Sequence, residues 1–317
     1  GTWSAPKGIV EMEVGQVQWT RAPQKLPAIE RFHLHAELSR EAVRVSDLEV
    51  RAEGQLIQAR ADVPMDESAW EALVLQRRWP DWKTVNARLE IARADIAPFA
   101  EYLPQFLSPE GGLSLNLALA SGGELSGDIA LHNARTRPLE SVGPIRDIEA
   151  RATISGSAVE LRNFSGSVGG QLVNITGKAR LNDPPWDLSR MPAFELHLAG
   201  TNVPLARRPD VVLRADLDVS ITNDADRTPR VTGRVRLRDS FYLSELADLT
   251  SGGVTTPRRR LPFFSIEEQP WARWELDVTV QGDRFLRVRS PLFRGIVSIA
   301  LKLEGTLENP VALGEAR

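Results

Sequence analysis

The chain has 317 residues, 42% of them hydrophobic and 26% charged, a balance that excludes a disordered polymer and suits two ordinary domains or one repeat array. Its formal net charge of -3 offers nucleic acid no basic surplus, so no nucleic-acid partner is expected. There is no cysteine, hence no disulfide framework or thiolate metal site, although this does not fix the compartment. No run approaches the roughly 18 apolar residues of a membrane span, and no charged-then-apolar leader opens the chain. The sequence starts at Gly1-Thr2-Trp3 and stops at Arg317, just after Val311 and Leu313 announce a strand. We therefore expect a piece of a longer protein whose anchor or export signal lies elsewhere.

In chain order, Val10, Met12 and Val14 alternate, and Val17 and Trp19 resume after Gly15, giving an opening strand. Arg21 to Pro27 is a Pro-broken linker. From Ile29 an internal duplication is legible, because residues 29–57 align without a gap on residues 145–173. The two stretches share Ile29/Ile145, Ala36/Ala152, Ser39/Ser155, Ala42-Val43/Ala158-Val159 and Gly54-Gln55-Leu56/Gly170-Gln171-Leu172. With shifts in loop length, Leu89-Glu90-Ile91-Ala92 answers Leu196-His197-Leu198-Ala199. Leu113, Leu115, Leu117 and Leu119 answer Leu213, Ala215, Leu217 and Val219, and Gly127 answers Gly233. A unit of about 100 residues, built of short strands, has occurred twice, the signature of a stacked repeat architecture.

The expected organisation is an opening strand and linker (1–28), a first β repeat (29–142), a second (143–249), a flexible loop (250–270) and the start of a further repeat (271–317). An amphipathic helix is expected near 66–79, with Ser68 and Glu71 as a capping box and Pro80 as its stop. Shorter helical turns are expected at Ala97 to Phe106 and at Ser244 to Leu249. Thr250 to Leu261, with Pro257 and Arg258-Arg259-Arg260, reads as a loop. Near the C-terminus Val297, Ile299, Leu301 and Leu303 share one face of a strand, and Leu307-Glu308-Asn309-Pro310 turns the chain.

Chemistry-bearing motifs are sparse. His33 and His35 leave one face of one strand, but no third ligand lies nearby, and a solvated polar face explains them better than zinc. His132 and His197 are isolated. Ser165-Gly166-Ser167-Val168-Gly169-Gly170 lacks the Lys-Ser/Thr of a phosphate loop and precedes strands, so it reads as a turn or bulge. Arg258-Arg259-Arg260 fits a solvated loop better than a phosphate site. The sequons at Asn163 and Asn174 matter only in a eukaryotic secretory setting. No enzyme, metal or cofactor is expected.

The remaining signal is the aliphatic stripe. Leu113, Leu115, Leu117, Leu119, Leu213, Leu217, Val219, Trp274, Leu276, Val278, Val280, Val297, Ile299, Leu301 and Leu303 fit equally the core of a two-sheet sandwich and the lining of a groove in one curled sheet. Periodicity does not separate the two, because both bury one face. The repeat favours the groove, since a curled sheet can be extended unit after unit. The expected fold is all-β with few short helices: an elongated, twisted antiparallel sheet curled into an open β-taco.

Ser290-Pro291-Leu292-Phe293-Arg294-Gly295, leading into Leu303-Glu304-Gly305-Thr306-Leu307-Glu308-Asn309-Pro310 and Leu313-Gly314-Glu315-Ala316-Arg317, resembles the TamB family within the AsmA-like group of bacterial envelope proteins. Ala158 to Phe164 followed by Gly169-Gly170 is similar to AsmA-like segments. The resemblance implies a β-rich body spanning the periplasm of a diderm bacterium, held to the inner membrane by an anchor absent from this chain. Phospholipids would pass along its hydrophobic groove between the two membranes. It also implies a TamA-like outer-membrane barrel of the assembly-factor class as partner. The alternative is a scaffold whose edge strands pair with an incoming β-barrel precursor.

Overall fold

Period-two alternation of aliphatic and charged residues gives each segment one apolar and one wet face, which suits a strand and not a helix. The computed structural model describes residues 6–17, 28–99, 108, 110–138, 143–183, 191–207, 211–224, 227–243, 271–289 and 294–317. Every strand among them belongs to one open, 16-stranded sheet, hydrogen-bonded in the order of the sequence. The strand pairs whose register is described are antiparallel except that of Arg230–Leu243 with Glu275–Arg289, which is parallel. A parallel pair needs a crossover of a dozen or more residues, and the chain between those two strands is long enough for one. Contact clustering divides the chain into two compact units, Gly1–Ala134 with Ala150–Val159, and Arg135–Glu149 with Glu160–Arg317.

The first unit carries β1 (Gly8–Val17), β2 (Ile29–Leu38), β3 (Ala42–Ala52), β4 (Gln55–Pro64), α1 (Glu67–Gln76), β5 (Asn86–Asp95), β6 (Gly112–Ala120) and β7 (Glu124–Ala134). The next strands, β8 (Ile145–Ser155) and β9 (Ala158–Val168), are divided between the units. The second unit continues with β10 (Gln171–Arg180), β11 (Ala193–Arg207), β12 (Val211–Asn223), β13 (Arg230–Leu243), β14 (Glu275–Arg289), β15 (Arg294–Thr306) and β16 (Pro310–Ala316).

The duplication has a strand-by-strand counterpart. β2, β3 and β4 begin at 29, 42 and 55, and β8, β9 and β10 begin at 145, 158 and 171, a constant offset. The two-residue turns at Glu53-Gly54 and Gly169-Gly170 both hold positive φ at both positions, the mark of a type I′ hairpin. No phosphate chemistry is needed to explain the glycine run from Ser165 to Gly170, whose last two residues are that turn. Gly127 and Gly233 also correspond: each sits at positive φ, and a Cβ there would lie 2.0 Å from the Asn116 carbonyl oxygen or 2.3 Å from that of Asp218. Gly314 repeats the arrangement against Ala300, at 2.1 Å. These glycines pair with Leu117, Val219 and Leu301, so Leu117 answers Val219 and not Leu217. The two-residue offset leaves every side chain on its expected face.

The helix differs in its cap. Asp66, not Ser68, occupies the N-cap: its Oδ1 accepts from Ala69 N at 2.7 Å, and Ser68 Oγ donates to the same oxygen at 2.8 Å. The helix stops at Gln76, short of Pro80, because Arg77 turns left-handed (φ 54°). Of the expected turn from Ala97, a 3-10 turn over Ala97–Phe99 is described. Trp19, the Arg21 to Pro27 linker, Ser244 to Leu249, Arg258-Arg259-Arg260 and Ser290 to Phe293 lie outside the described residues.

Candidate functional site

In the first unit the strand register lines aliphatic side chains into rows that run across the strands. One row is Met12, Leu34, Leu48, Ala59, Leu89, Leu117 and Gly127, taken from β1 to β7. A second is Val10, Ala36, Val45, Ala61, Ala87, Leu119 and Leu125. Leu113 and Leu115 extend the face opposite Leu131 and Ile129. At about 4.8 Å per strand such a row runs about 29 Å, roughly twice the ~15 Å half-thickness of a bilayer's hydrocarbon core.

The second unit repeats the pattern from β10 to β16. One row reads Ile175, Leu198, Val219, Gly233, Val278, Leu303 and Ala312, and the next reads Val173, Gly200, Leu217, Val235, Val280, Leu301 and Gly314. Leu213, Leu276, Val297 and Ile299 pack on the same cluster around Ala215, Leu237 and Phe285. At one rim Phe194 on β11 meets Trp274, just before β14, at 6.2 Å between ring centroids. Trp271 packs on Trp274 edge-on at 4.6 Å. Three strand spacings, about 14 Å, separate β11 from β14 in the sheet, so Phe194 and Trp274 reach toward each other across β12 and β13 at that rim.

Burial along the stripe differs between the two units. A face sealed against a second sheet carries fully buried aliphatics. Here Leu113, Leu115, Leu117 and Leu119 are all half-buried, as are Leu34, Leu48, Leu89, Leu125 and Ile129. In the second unit Trp274, Val278 and Val280 are buried at 5%, 5% and 8% exposure. Leu213, Leu217, Val219, Leu276, Val297, Ile299, Leu301 and Leu303 are half-buried. Among the described residues every strand belongs to one sheet, and no second sheet occurs.

The opposite face is polar. Arg230 Nη2 donates to Asp277 Oδ2 at 2.6 Å, Lys302 Nζ lies 3.2 Å from Asp277 Oδ1 and 2.7 Å from Glu304, and Lys178 lies 3.0 Å from Glu195. The Lys302 ammonium and then Arg230 hold the Asp277 carboxyl below its ordinary range. Hydrogen bonds to Glu304 and Asp277 push Lys302 up. Asp216 is partly desolvated, which opposes ionisation, yet the Asn202 N–H at 3.0 Å and the Arg238 guanidinium bring its carboxyl down. His33 lies on this face, 3.8 Å from Asp47, and His197 lies 3.6 Å from Asp218. No group of three metal-ligating side chains occurs among the described residues. A hollow of about 400 Å3 near the β14 bulge is lined by Arg236, Gln281, Asp283, Glu315 and Arg317 together with Ile299 and Ala300.

The aliphatic residues of the stripe share a face within each unit and come together in two sets, one in each unit. Sequence reasoning omitted Met12, Leu34, Leu48 and Leu89, whose alternation carried the same signal. It also omitted Phe194, whose meeting with Trp274 depends on tertiary contact. No family model, no curated protein and no solved structure matches the chain.

Proposed function

We propose that this chain is a lipid-conducting segment of a TamB-like bridge in the periplasm of a diderm bacterium. In this reading each apolar face is a trough for phospholipid acyl chains, and the head groups travel in water. The observation that carries it is the incomplete burial of most leucines and valines along whole rows. A large aliphatic side chain gains about 1.5–3 kcal/mol on full burial, and the apolar surface left uncovered at each position along a row is suited to an apolar occupant. The occupant has a matching need. Moving a 16-carbon chain from bilayer to water exposes methylenes at about 0.8 kcal/mol each, roughly 12 kcal/mol in all, and a trough removes most of that barrier. Such a lining needs only aliphatics in register, with no reacting groups.

The test is binding of a fluorescent phospholipid to the wild-type chain and to Leu117→Glu or Ile299→Glu. A carboxylate in a row is expected to weaken lipid binding at least tenfold, about 1.4 kcal/mol, with the β-type circular dichroism retained, because the side chain already reaches solvent. Loss of the folded spectrum would instead assign the rows to a sealed core. Unchanged lipid binding, with crosslinks from the sheet edges to barrel precursors, would favour a scaffold for outer-membrane assembly.

A further inference from the structure

α1 leaves the sheet between β4 and β5 and is tied back at both ends. Met65 N donates to Glu41 O at 2.8 Å, and Gly122 N, in the β6–β7 turn, donates to Lys83 O at 2.6 Å. Trp70 is buried, and it holds the inner side of the helix at the rim where β2–β3, β4–β5 and β6–β7 connect. The outer end is built differently. Leu75 is 75% and Trp79 81% exposed, the two most exposed large apolar side chains among the described residues, and Val74 is exposed beside them. Arg77 and Arg78 stand between Leu75 and Trp79, both exposed, with no acidic partner for either guanidinium among the described residues. The left-handed Arg77 breaks the helix, and Arg78 N donates to Ala72 O, so Arg78 and Trp79 lie past its end. Glu67 and Glu71 sit toward the start of the helix, with Glu67 3.8 Å from Arg40. Lys83, 5.4 Å from the Trp82 ring, is a third cation at the tied end, and the exposed Asp81 next to it is engaged as a cap, its Oδ1 accepting from Lys83 N at 3.1 Å.

We propose that this tip is a membrane-docking anchor that takes an anionic phospholipid surface. Tryptophan is favoured at the head-group level of a bilayer, where its ring is half solvated, and arginine pairs with phosphate through a planar fork. Basic residues next to an anionic leaflet are drawn to it through its surface potential. Three exposed apolar side chains fall short of the ~800 Å² per partner that a stable protein interface buries, whereas shallow insertion beside basic residues suits a membrane surface. The anchor is independent of the trough: it would place a rim of the first unit on a leaflet whether or not acyl chains run along the aliphatic rows.

Flotation of the full chain with vesicles of phosphatidylglycerol and phosphatidylcholine, and with phosphatidylcholine alone, tests it. The wild-type chain is expected to float with the anionic vesicles and to be released by 0.5 M salt, in keeping with a Debye length that shrinks to about 3 Å near 1 M. Arg77→Glu with Arg78→Glu, and separately Leu75→Ala with Trp79→Ala, should each lower the bound fraction at least about tenfold. Thermal unfolding should stay as in wild type, since all four side chains are exposed. Equal binding to neutral vesicles, or binding that survives both variants, overturns the proposal. So does self-association of the wild-type chain without vesicle binding, if the variants abolish it, since that assigns the tip to a second copy. Because fluorescent-lipid binding reads the trough and flotation reads the anchor, either can fail alone.

Discussion

Asp277 stands between Lys302 and Arg230 on the wet face of the second unit, and its ionisation is tied to folding. A carboxyl held below its ordinary range contributes stability that is present above its unfolded pKa and lost as pH falls through the folded one. Lys302 is pushed up, so its contribution is complete below the unfolded lysine pKa and fades as pH rises through the folded value. Asp277→Asn should therefore melt below wild type at neutral pH, with the gap closing below about pH 4. Melting curves across pH check this, and a gap that persists unchanged into strong acid contradicts it. Lys302 is exposed and Asp277 only half-buried at the surface, so the effect is small. Single residues were the least legible scale. Asp66 and Ser68 both satisfy the N-cap preference, and only the 2.7 Å bond to Ala69 decides between them. The αL turn of Arg77 has no glycine to announce it.

At the scale of elements the strands were legible because alternation is local, while their pairing was legible only in part. The matched Gly-Gln-Leu triplets marked two hairpins whose turns need positive φ. The parallel pairing of β13 with β14 was not legible, since a strand's own pattern is the same in either orientation. The offset of Leu117 against Val219 was hidden for a related reason, because a shift of two residues preserves the face. Gly127 and Gly233 fix that register: their backbones lie so close to the facing strand that a methyl group would overlap a carbonyl oxygen. Gly127→Ala and Gly233→Ala should each cost about 2 kcal/mol or more. Gly8→Ala on β1, with nothing within 4 Å of the added carbon, should change stability by less than about 0.5 kcal/mol. Urea unfolding compares them, and equal losses at Gly8 and Gly127 would remove the packing explanation.

For the whole chain, composition, repeat and absence of reacting motifs narrowed the reading to a β scaffold, and one sheet in sequence order bears out the fold class. Sandwich core and groove stayed equivalent in sequence because both demand alternation; the incomplete burial of Leu113, Leu115, Leu117 and Leu119 depends on what surrounds them, which no local pattern encodes. The proposal that these rows hold acyl chains is tested most directly by placing a benzophenone side chain at Leu117 or Leu301, with Asn116 and Lys302 as wet-face controls, and irradiating the chain in bacterial cells. The account expects adducts of phospholipid mass at Leu117 and Leu301 and none at the controls. Crosslinks from Leu117 and Leu301 only to other parts of the protein, with no lipid at either, would contradict it.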